Sequence, residues 1–185
     1  MSYEERQGFL SAVHAMAPGS GITGATGEMA KWSVRKDPVS GIYHTTGFID
    51  LTGLASVATD GDIIGFGSTN PAYIGQVKAA VCGTIFAGLM TLLETPATGE
   101  VDIDLYAATE GTGKGDDAIG GLTETKIFDA AGDWGTVTQV RMAAAPAANS
   151  YLYLTVGTNS TPTAGTYTAG IYKIVHQYNV FAFNL

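Results

Sequence analysis

Apolar and polar residues alternate along most of this chain, from residue 47 onward. The alternation is clearest where Val101, Ile103 and Leu105 are separated by Asp102 and Asp104. A period of two is typical of β-strands that bury one face. Clusters of Gly, Asp, Thr and Pro separate such stretches and indicate turns. The pattern predicts about eight strands, at 48–51, 63–64, 73–82, 84–93, 101–106, 137–142, 151–156 and 170–183.

Two of these stretches carry a second signal. Within 84–93, apolar residues also recur at helical spacing, so a helix is an alternative there. Within 170–183, the alternation changes phase near Lys173 and Ile174. A phase change inside a strand predicts a β-bulge.

The first 46 residues follow a different pattern. Ser2 and Glu5 have the spacing of a helix capping box, and Pro18 marks an end. The apolar residues between them recur at helical intervals, at Phe9, Leu10, Val13 and Met16. We therefore predict a short amphipathic helix over 3–16, then a glycine-rich linker and a basic segment over 31–36. A helix of this length is marginal alone in water, so it needs a surface to lie on.

The length of 185 residues is that of one ordinary domain. No helical pattern of ordinary length lies between the predicted strands, which excludes parallel βαβ units. Only 14% of residues are charged and 25 are glycine, which argues against a helical bundle. We expect an all-β protein: an antiparallel β-sandwich or jelly-roll-like domain over 47–185, with an extended N-terminal arm over 1–46 that contains the short helix.

The net charge of −8 is unevenly distributed. Residues 1–46 are neutral, so the later part carries the whole excess of acidic residues. Such a chain repels phosphate backbones, and we expect no nucleic-acid partner. The longest apolar run, from Val81 to Leu93, is too short to span a bilayer, and we expect no membrane partner. Cys82 is the single cysteine, so no disulfide forms within the chain.

Carboxylates are the candidate chemistry of the chain. Glu100, Asp102 and Asp104 are spaced to share one strand face, which we interpret as a solvated acidic face. Asp60 with Asp62, and Asp116 with Asp117, fall in predicted loops, so a structural calcium ion is left open. No zinc spacing, nucleophile elbow or complete phosphate-binding loop is present. We therefore predict no catalytic residues, no metal site and no cofactor.

Several aromatic residues fall in or near the predicted strands. They are Tyr106, Trp134, Tyr151 and Tyr153. Such side chains stack on sugars when they are exposed, or pack across strands when they are not. We favour cross-strand packing and keep a carbohydrate-binding face as the alternative.

The order of short β motifs resembles that of small virion proteins of tailed bacteriophages, especially head decoration or cement proteins. The resemblance covers roughly 47–183 and includes 48–51, 58–64, 101–108, 151–156 and 163–170, followed by an aromatic last strand. It implies a non-enzymatic β-sandwich on the outer capsid surface, often a homotrimer, that holds neighbouring major capsid subunits together. It also implies synthesis in the host cytoplasm.

The arm supplies the candidate partner-binding residues. We predict that the helix buries Phe9, Leu10 and Val13 on the capsid, and that Trp32 anchors the segment that follows. Arg35 and Lys36 then meet acidic partner surface. Other functions stay open: a carbohydrate-binding or tail-fibre module, a portal or tail structural protein, and an enzyme on a jelly roll.

Overall fold

A computed structural model describes residues 16–17, 23–24, 27–28, 30–78 and 84–179. The described chain is almost entirely β-structure, with one 3-10 turn at Ile119–Gly121. Its strands are β1 (Met16–Ala17), β2 (Thr23–Gly24), β3 (Gly27–Glu28), β4 (Ala30–Lys36), β5 (Tyr43–Asp50), β6 (Ala55–Ser56), β7 (Gly75–Val77), β8 (Thr84–Ala97), β9 (Ile103–Ala108), β10 (Glu124–Phe128), β11 (Gln139–Arg141), β12 (Tyr151–Val156), β13 (Gly165–Thr166) and β14 (Ala169–Asn179).

Most of these strands form two five-stranded antiparallel sheets. Sheet I has the order β1-β7-β12-β9-β10, and sheet II has the order β11-β8-β14-β5-β4. From β5 onward the long strands alternate between the sheets, except that β9 and β10 form a hairpin within sheet I. Two small antiparallel pairs, β6 with β13 and β2 with β3, lie outside both sheets. This strand order is that of an eight-stranded jelly roll with one extra strand on each sheet, which confirms the predicted fold class.

Side chains from both sheets meet in one hydrophobic core. Sheet I contributes Leu105 and Leu154, and sheet II contributes Ile49 and Ile174, all fully buried. The alternation read from the sequence places these residues on the inward faces of their strands. Removing apolar surface from water contributes about 25 cal/mol per Å², so this shared core is what holds the two sheets together.

The outward face of sheet I is not solvated. A second cluster forms there, in which Tyr153 and Ala108 from the strands pack with Ile63, Ala72 and Ile119 from the loops. Isolated bridges, such as Ile63 with Thr155, tie these loops to the sheet. The loop at 109–122 therefore covers sheet I, and β9 is buried on both faces.

The structure changes the predicted domain boundary. β4 pairs with β5 from Ala30–Ile49 to Lys36–Tyr43, so the basic segment is an edge strand of sheet II. A boundary after residue 46 would divide β5 in two, and we place it before Ala30. Met16, at the end of the predicted helix, lies in β1; the rest of that helix falls outside the described residues.

Most strand predictions are confirmed, with corrections. The 84–93 stretch is part of β8, so the helical alternative is wrong. The last strand is irregular as expected, but its register shifts lie at Ala169–Tyr172 and Gln177–Tyr178, not at Lys173 and Ile174. β10 was not predicted, and 63–64 forms isolated bridges only.

Candidate interaction face

The structure describes three of the six predicted partner-binding residues, and all three lie in β4. Phe9, Leu10 and Val13 lie outside the described residues. Arg35 is exposed on β4, the outer strand of sheet II, and Lys36 ends that strand. The predicted cluster is therefore described only at these last two positions and at Trp32.

Trp32 packs within its own domain. Its indole Nε1–H donates to the carbonyl oxygen of Ile74, at 3.0 Å, and its ring packs against the core. A Cβ at Gly47 would overlap the ring, and one at Gly75 would lie 3.1 Å from Nε1. Gly47 lies in sheet II and Gly75 in sheet I, so Trp32 joins the sheets. We remove it from the partner-binding set.

The prediction of a solvated acidic face is wrong. Glu100, Asp102 and Asp104 are all fully buried, and only Asp104 lies within β9. The Oδ1 of Asp104 accepts a hydrogen bond from the backbone N–H of Ala130, and its Oδ2 pairs with Lys126 Nζ at 2.8 Å. Burial acts to lower the pKa of Lys126, but the Asp104 carboxylate outweighs it and raises that pKa. The three carboxylates are therefore buried within the fold and do not form a solvated face.

Glu100 is the centre of a buried hydrogen-bond network. Its Oε1 accepts from the backbone N–H groups of Val101 and Asp102, at 2.9 and 2.8 Å, and from the Ser160 hydroxyl at 2.9 Å. Its Oε2 accepts from the backbone N–H of Thr163. The carboxylate thus binds the 157–165 loop to the segment that enters β9.

Asp102 gives the fold a pH-dependent contribution. Its Oδ2 accepts from the Asn159 backbone N–H at 2.7 Å, whereas its buried Oδ1 has no hydrogen-bond partner. Burial raises its pKa above the ordinary 3.8; the Asn159 bond opposes this, and the charges of Asp104 and Glu100 add to it. Because the folded state then binds the proton more tightly than the unfolded state, ionised Asp102 opposes folding.

We expect Asp102→Asn to remove this pH dependence. Between the unfolded pKa and the higher folded pKa, acidification favours the folded wild type through Asp102, and the asparagine variant lacks that gain. The free energy of unfolding of wild type minus that of D102N should therefore increase as pH falls from 7 to 4. Urea denaturation at three pH values measures it, with the exposed Asp60→Asn as control. A difference that stays constant across this range contradicts the assignment.

The remaining loop carboxylates do not build a cation site in the described part of the chain. No three His, Cys, Asp or Glu side chains converge there as metal ligands. Asp117 Oδ2 instead accepts from the Lys114 backbone N–H at 2.9 Å. Burial raises the pKa of Asp62, and the nearby charges of Asp116 and Asp117 add to this.

The aromatic residues divide between core and surface. Trp134 is buried: its Nε1–H donates to the Ile103 carbonyl at 2.8 Å, and its ring packs edge-on against Tyr172. Tyr153 is also buried, and burial raises its pKa to about 12. Only Tyr106 and Tyr151 remain half-buried. The sugar-stacking alternative therefore loses two of its four aromatic residues.

Sheet II has a different outward face, which we call the open face. Three of the five exposed large apolar residues of the described chain lie in its strands: Phe48 at 43%, Phe86 at 48% and Leu93 at 53% exposure. Scattered single apolar residues are ordinary on a surface, but three of them in the strands of one sheet make sheet II the candidate interaction surface. The sequence analysis did not identify Phe86 or Arg141 as candidates. Phe48 was open to prediction, because strand alternation directs its side chain to the face away from the buried Ile49.

The basic residues concentrate on the same sheet. Its five strands hold five of the nine lysine and arginine residues and only two acidic ones, on a chain of net charge −8. The basic residues are Lys31, Arg35, Lys36, Arg141 and Lys173; the acidic ones are Asp50 and Glu94. The rest of the protein is thus strongly acidic, and a partner with acidic surface is steered toward sheet II.

A groove runs along the open face between β8 and β11. It has a volume of about 440 Å³ and is lined by Phe86, Leu89, Met142 and the exposed Gln139 and Arg141, with Ala87 and Gly88 at its floor. Leu89 and Arg141 are direct cross-strand partners, so the arginine lies beside an apolar strip. The groove therefore offers one positive charge next to apolar side chains.

The fold and this face define a jelly-roll sandwich with one covered and one open sheet. Comparison with protein-family models, curated proteins and solved structures finds no match to the chain. Across the described ranges, no helix is both long and apolar enough to cross a membrane.

Proposed function

We propose that this protein is a non-enzymatic structural protein of a tailed-bacteriophage virion, and that it decorates the capsid. Its open face binds the shell of major capsid protein and strengthens contacts between neighbouring subunits. One observation carries the proposal. The strands of sheet II hold the exposed Phe48, Phe86 and Leu93 together with five of the nine basic residues. The resemblance of the β-motif order to head decoration proteins supplies the virion setting.

The physical requirements of such a protein fit this face. Stable association buries at least about 1,200 Å² in total, with apolar residues at the centre and polar residues around them. A five-stranded sheet supplies a flat area of this kind, and its positive charge selects an acidic shell surface. The residues of the N-terminal arm, Phe9, Leu10 and Val13, extend the proposed contact.

The buried groups support a structural role. Glu100 and Asp104, the carboxylates nearest the centre of the fold, are occupied by backbone donors and by Lys126. A hydrolytic site would need such carboxylates beside each other and open to substrate. We further propose a homotrimer on the virion surface, since three copies match a local threefold axis of a shell.

Substitution of the open face is expected to weaken shell binding. Phe48→Ser combined with Arg35→Glu removes an apolar contact and reverses a charge, which should lower affinity for shells of the major capsid protein at least tenfold. Co-sedimentation with purified shells measures the bound fraction. Val39→Ser, at the exposed turn between β4 and β5, is the matched control and should bind normally.

Two outcomes would decide against this proposal. If the wild-type protein fails to sediment with shells, the capsid role is wrong. If Tyr151→Ala abolishes binding to a glycan array while the open-face variant binds normally, the carbohydrate-binding tail-fibre alternative is favoured. Light scattering after gel filtration gives the native mass, for which we expect that of a trimer.

A further inference from the structure

Part of β8 has a strand on one side only. β14 pairs with β8 along nearly its whole length, from Ala97 to Thr84. On the opposite side, β11 pairs only with Leu89–Thr91. The chain then leaves sheet II, because Met142 donates to the Gly88 carbonyl and the next residue, Ala143, donates to Ile127 of sheet I. In the part of the chain that the structure describes, Thr84–Ala87 therefore pairs with β14 on one side and has no strand on the other.

An open stretch of this kind is a template for another strand. Edge strands present backbone N–H and C=O groups that pair readily with an extended segment of a second chain. Natural edges are usually protected by charge, proline or a covering loop. Here the residue at the open stretch is the exposed Phe86, which attracts apolar side chains.

The groove reaches this open stretch at Phe86 and Ala87. Phe86 and Ala87 line it at one end, and Arg141 lines it from β11. An incoming strand in line with β11 would place alternate side chains on the groove side, since side chains of a strand alternate between faces. One of them would meet Phe86, and a neighbour would come within reach of the Arg141 guanidinium.

We propose that the open edge of β8 at Thr84–Ala87 binds an extended, acidic segment of a second protein by β-strand addition. The segment alternates apolar side chains, which pack on Phe86 and Leu89, with carboxylates, one of which pairs with Arg141. Arg141, the one basic residue in β8 and β11, sets the sign of the charge that the partner carries. Backbone pairing supplies affinity, and the groove supplies selectivity.

A different protein fits this edge better than a second copy of this chain. Among the described residues, two exposed acidic side chains lie in strands, Glu94 in β8 and Glu124 in β10, and neither strand holds a second acidic residue. The exposed Asp60, Asp116, Asp117 and Asp133 lie in turns and loops. Such segments are held by their own hydrogen bonds, as Asp117 is at Lys114, and are not available as extended strands. The proposal stands on the open edge and the charge distribution and does not rest on the capsid role.

The test uses a synthetic peptide and no virion component. The peptide Thr-Asp-Val-Glu-Val-Asp-Thr is titrated into isotopically labelled full-length protein and followed by amide NMR shifts. We expect saturable shifts at Thr84–Leu89 and Arg141, and none with Thr-Lys-Val-Lys-Val-Lys-Thr. Arg141→Glu and Phe86→Ser should each weaken binding at least about fivefold. Lys114→Glu, which reverses the charge of an exposed lysine in the loop over sheet I, is the matched control and should bind normally.

Each contrary result overturns the proposal. Absence of shifts with the acidic peptide, shifts confined to sheet I, or equal binding of the lysine peptide would each exclude this edge as the site. Equal binding by wild type and by both variants would exclude the groove. If sedimentation velocity shows self-association that Arg141→Glu abolishes, the edge belongs to a second copy of this chain and the assignment to a different protein is wrong.

Discussion

Replacement of Glu100 by alanine is expected to lower the free energy of unfolding by about 4 kcal/mol. The substitution removes the acceptor of four hydrogen bonds and leaves the backbone N–H groups of Val101, Asp102 and Thr163 without their partner. A buried donor without an acceptor costs about 1–3 kcal/mol. Relief of the repulsion between Glu100 and Asp102 offsets part of the loss, which is why the expected value is below the sum.

Two further variants separate the causes. Glu100→Gln keeps one acceptor oxygen but turns an NH₂ group toward a donor, so we expect a loss of about 2 kcal/mol. Glu124→Ala, which removes an exposed carboxylate on β10, should change stability by less than about 0.5 kcal/mol. Urea denaturation at pH 7 measures all three. Equal stability of E100A and E124A would show that the network contributes little.

Replacement of Trp32 by alanine is the second large effect we expect, a loss of about 3 kcal/mol. The substitution empties the space between Gly47 and Gly75 and leaves the Ile74 carbonyl without the indole donor. Those glycines cannot fill the space, because neither has a side chain. Thermal and urea unfolding both report the loss.

Two further variants serve as controls for Trp32→Ala, one at Trp32 itself and one at Phe48. Trp32→Phe keeps an aromatic ring but removes the Nε1–H donor, so about 1 kcal/mol should be lost. Phe48→Ala, on the exposed side of β5, should cost no more than about 1 kcal/mol because its side chain is partly in water already. If W32A is as stable as F48A, Trp32 does not join the sheets and is again available to a partner.

The architecture was predictable where alternation reflects burial on one side. Leu152 and Leu154 on β12 alternate toward the core, and this period identified the strand and the sandwich. β4 was missed because charged residues at its ends were taken as a basic surface segment. The alternation of the apolar Trp32 and Val34 with charged and polar residues is the signal that would have identified β4. In the sheet, Trp32 is the cross-strand partner of Gly47.

The acidic residues could not be placed from the sequence. Asp102 and Asp104 alternate with apolar residues, and such a pattern is typical of a strand with one wet face. The loops at 57–73 and 109–122 fold back over that face, and no local pattern shows such a long-range contact. The open groove escaped prediction for the same reason, since Phe86 and Arg141 are far apart in the chain and meet only through β8–β11 pairing.

The two sheets differ in burial and in the side chains that they carry. β9 and β12 of sheet I are buried on both faces, and the charged networks of Glu100 and Asp104, beside and within β9, contribute to stability. Sheet II is buried on one face only and carries the exposed apolar and basic residues. Substitutions of the open face should therefore change binding with little effect on unfolding, and those of the network should do the reverse.

The position of β14 has a consequence for the order of events during synthesis. β14 is the last strand along the described chain, yet it lies in the middle of sheet II, between β8 and β5. Until β14 has left the ribosome, β5 and β8 each lack the strand that lies between them in the finished sheet. Pairing across more than a hundred residues is slow, because a long loop must close before any contact forms. The nascent chain therefore exposes one edge of β5 and one edge of β8 until β14 has been synthesised, and during that time it depends most on protection from aggregation.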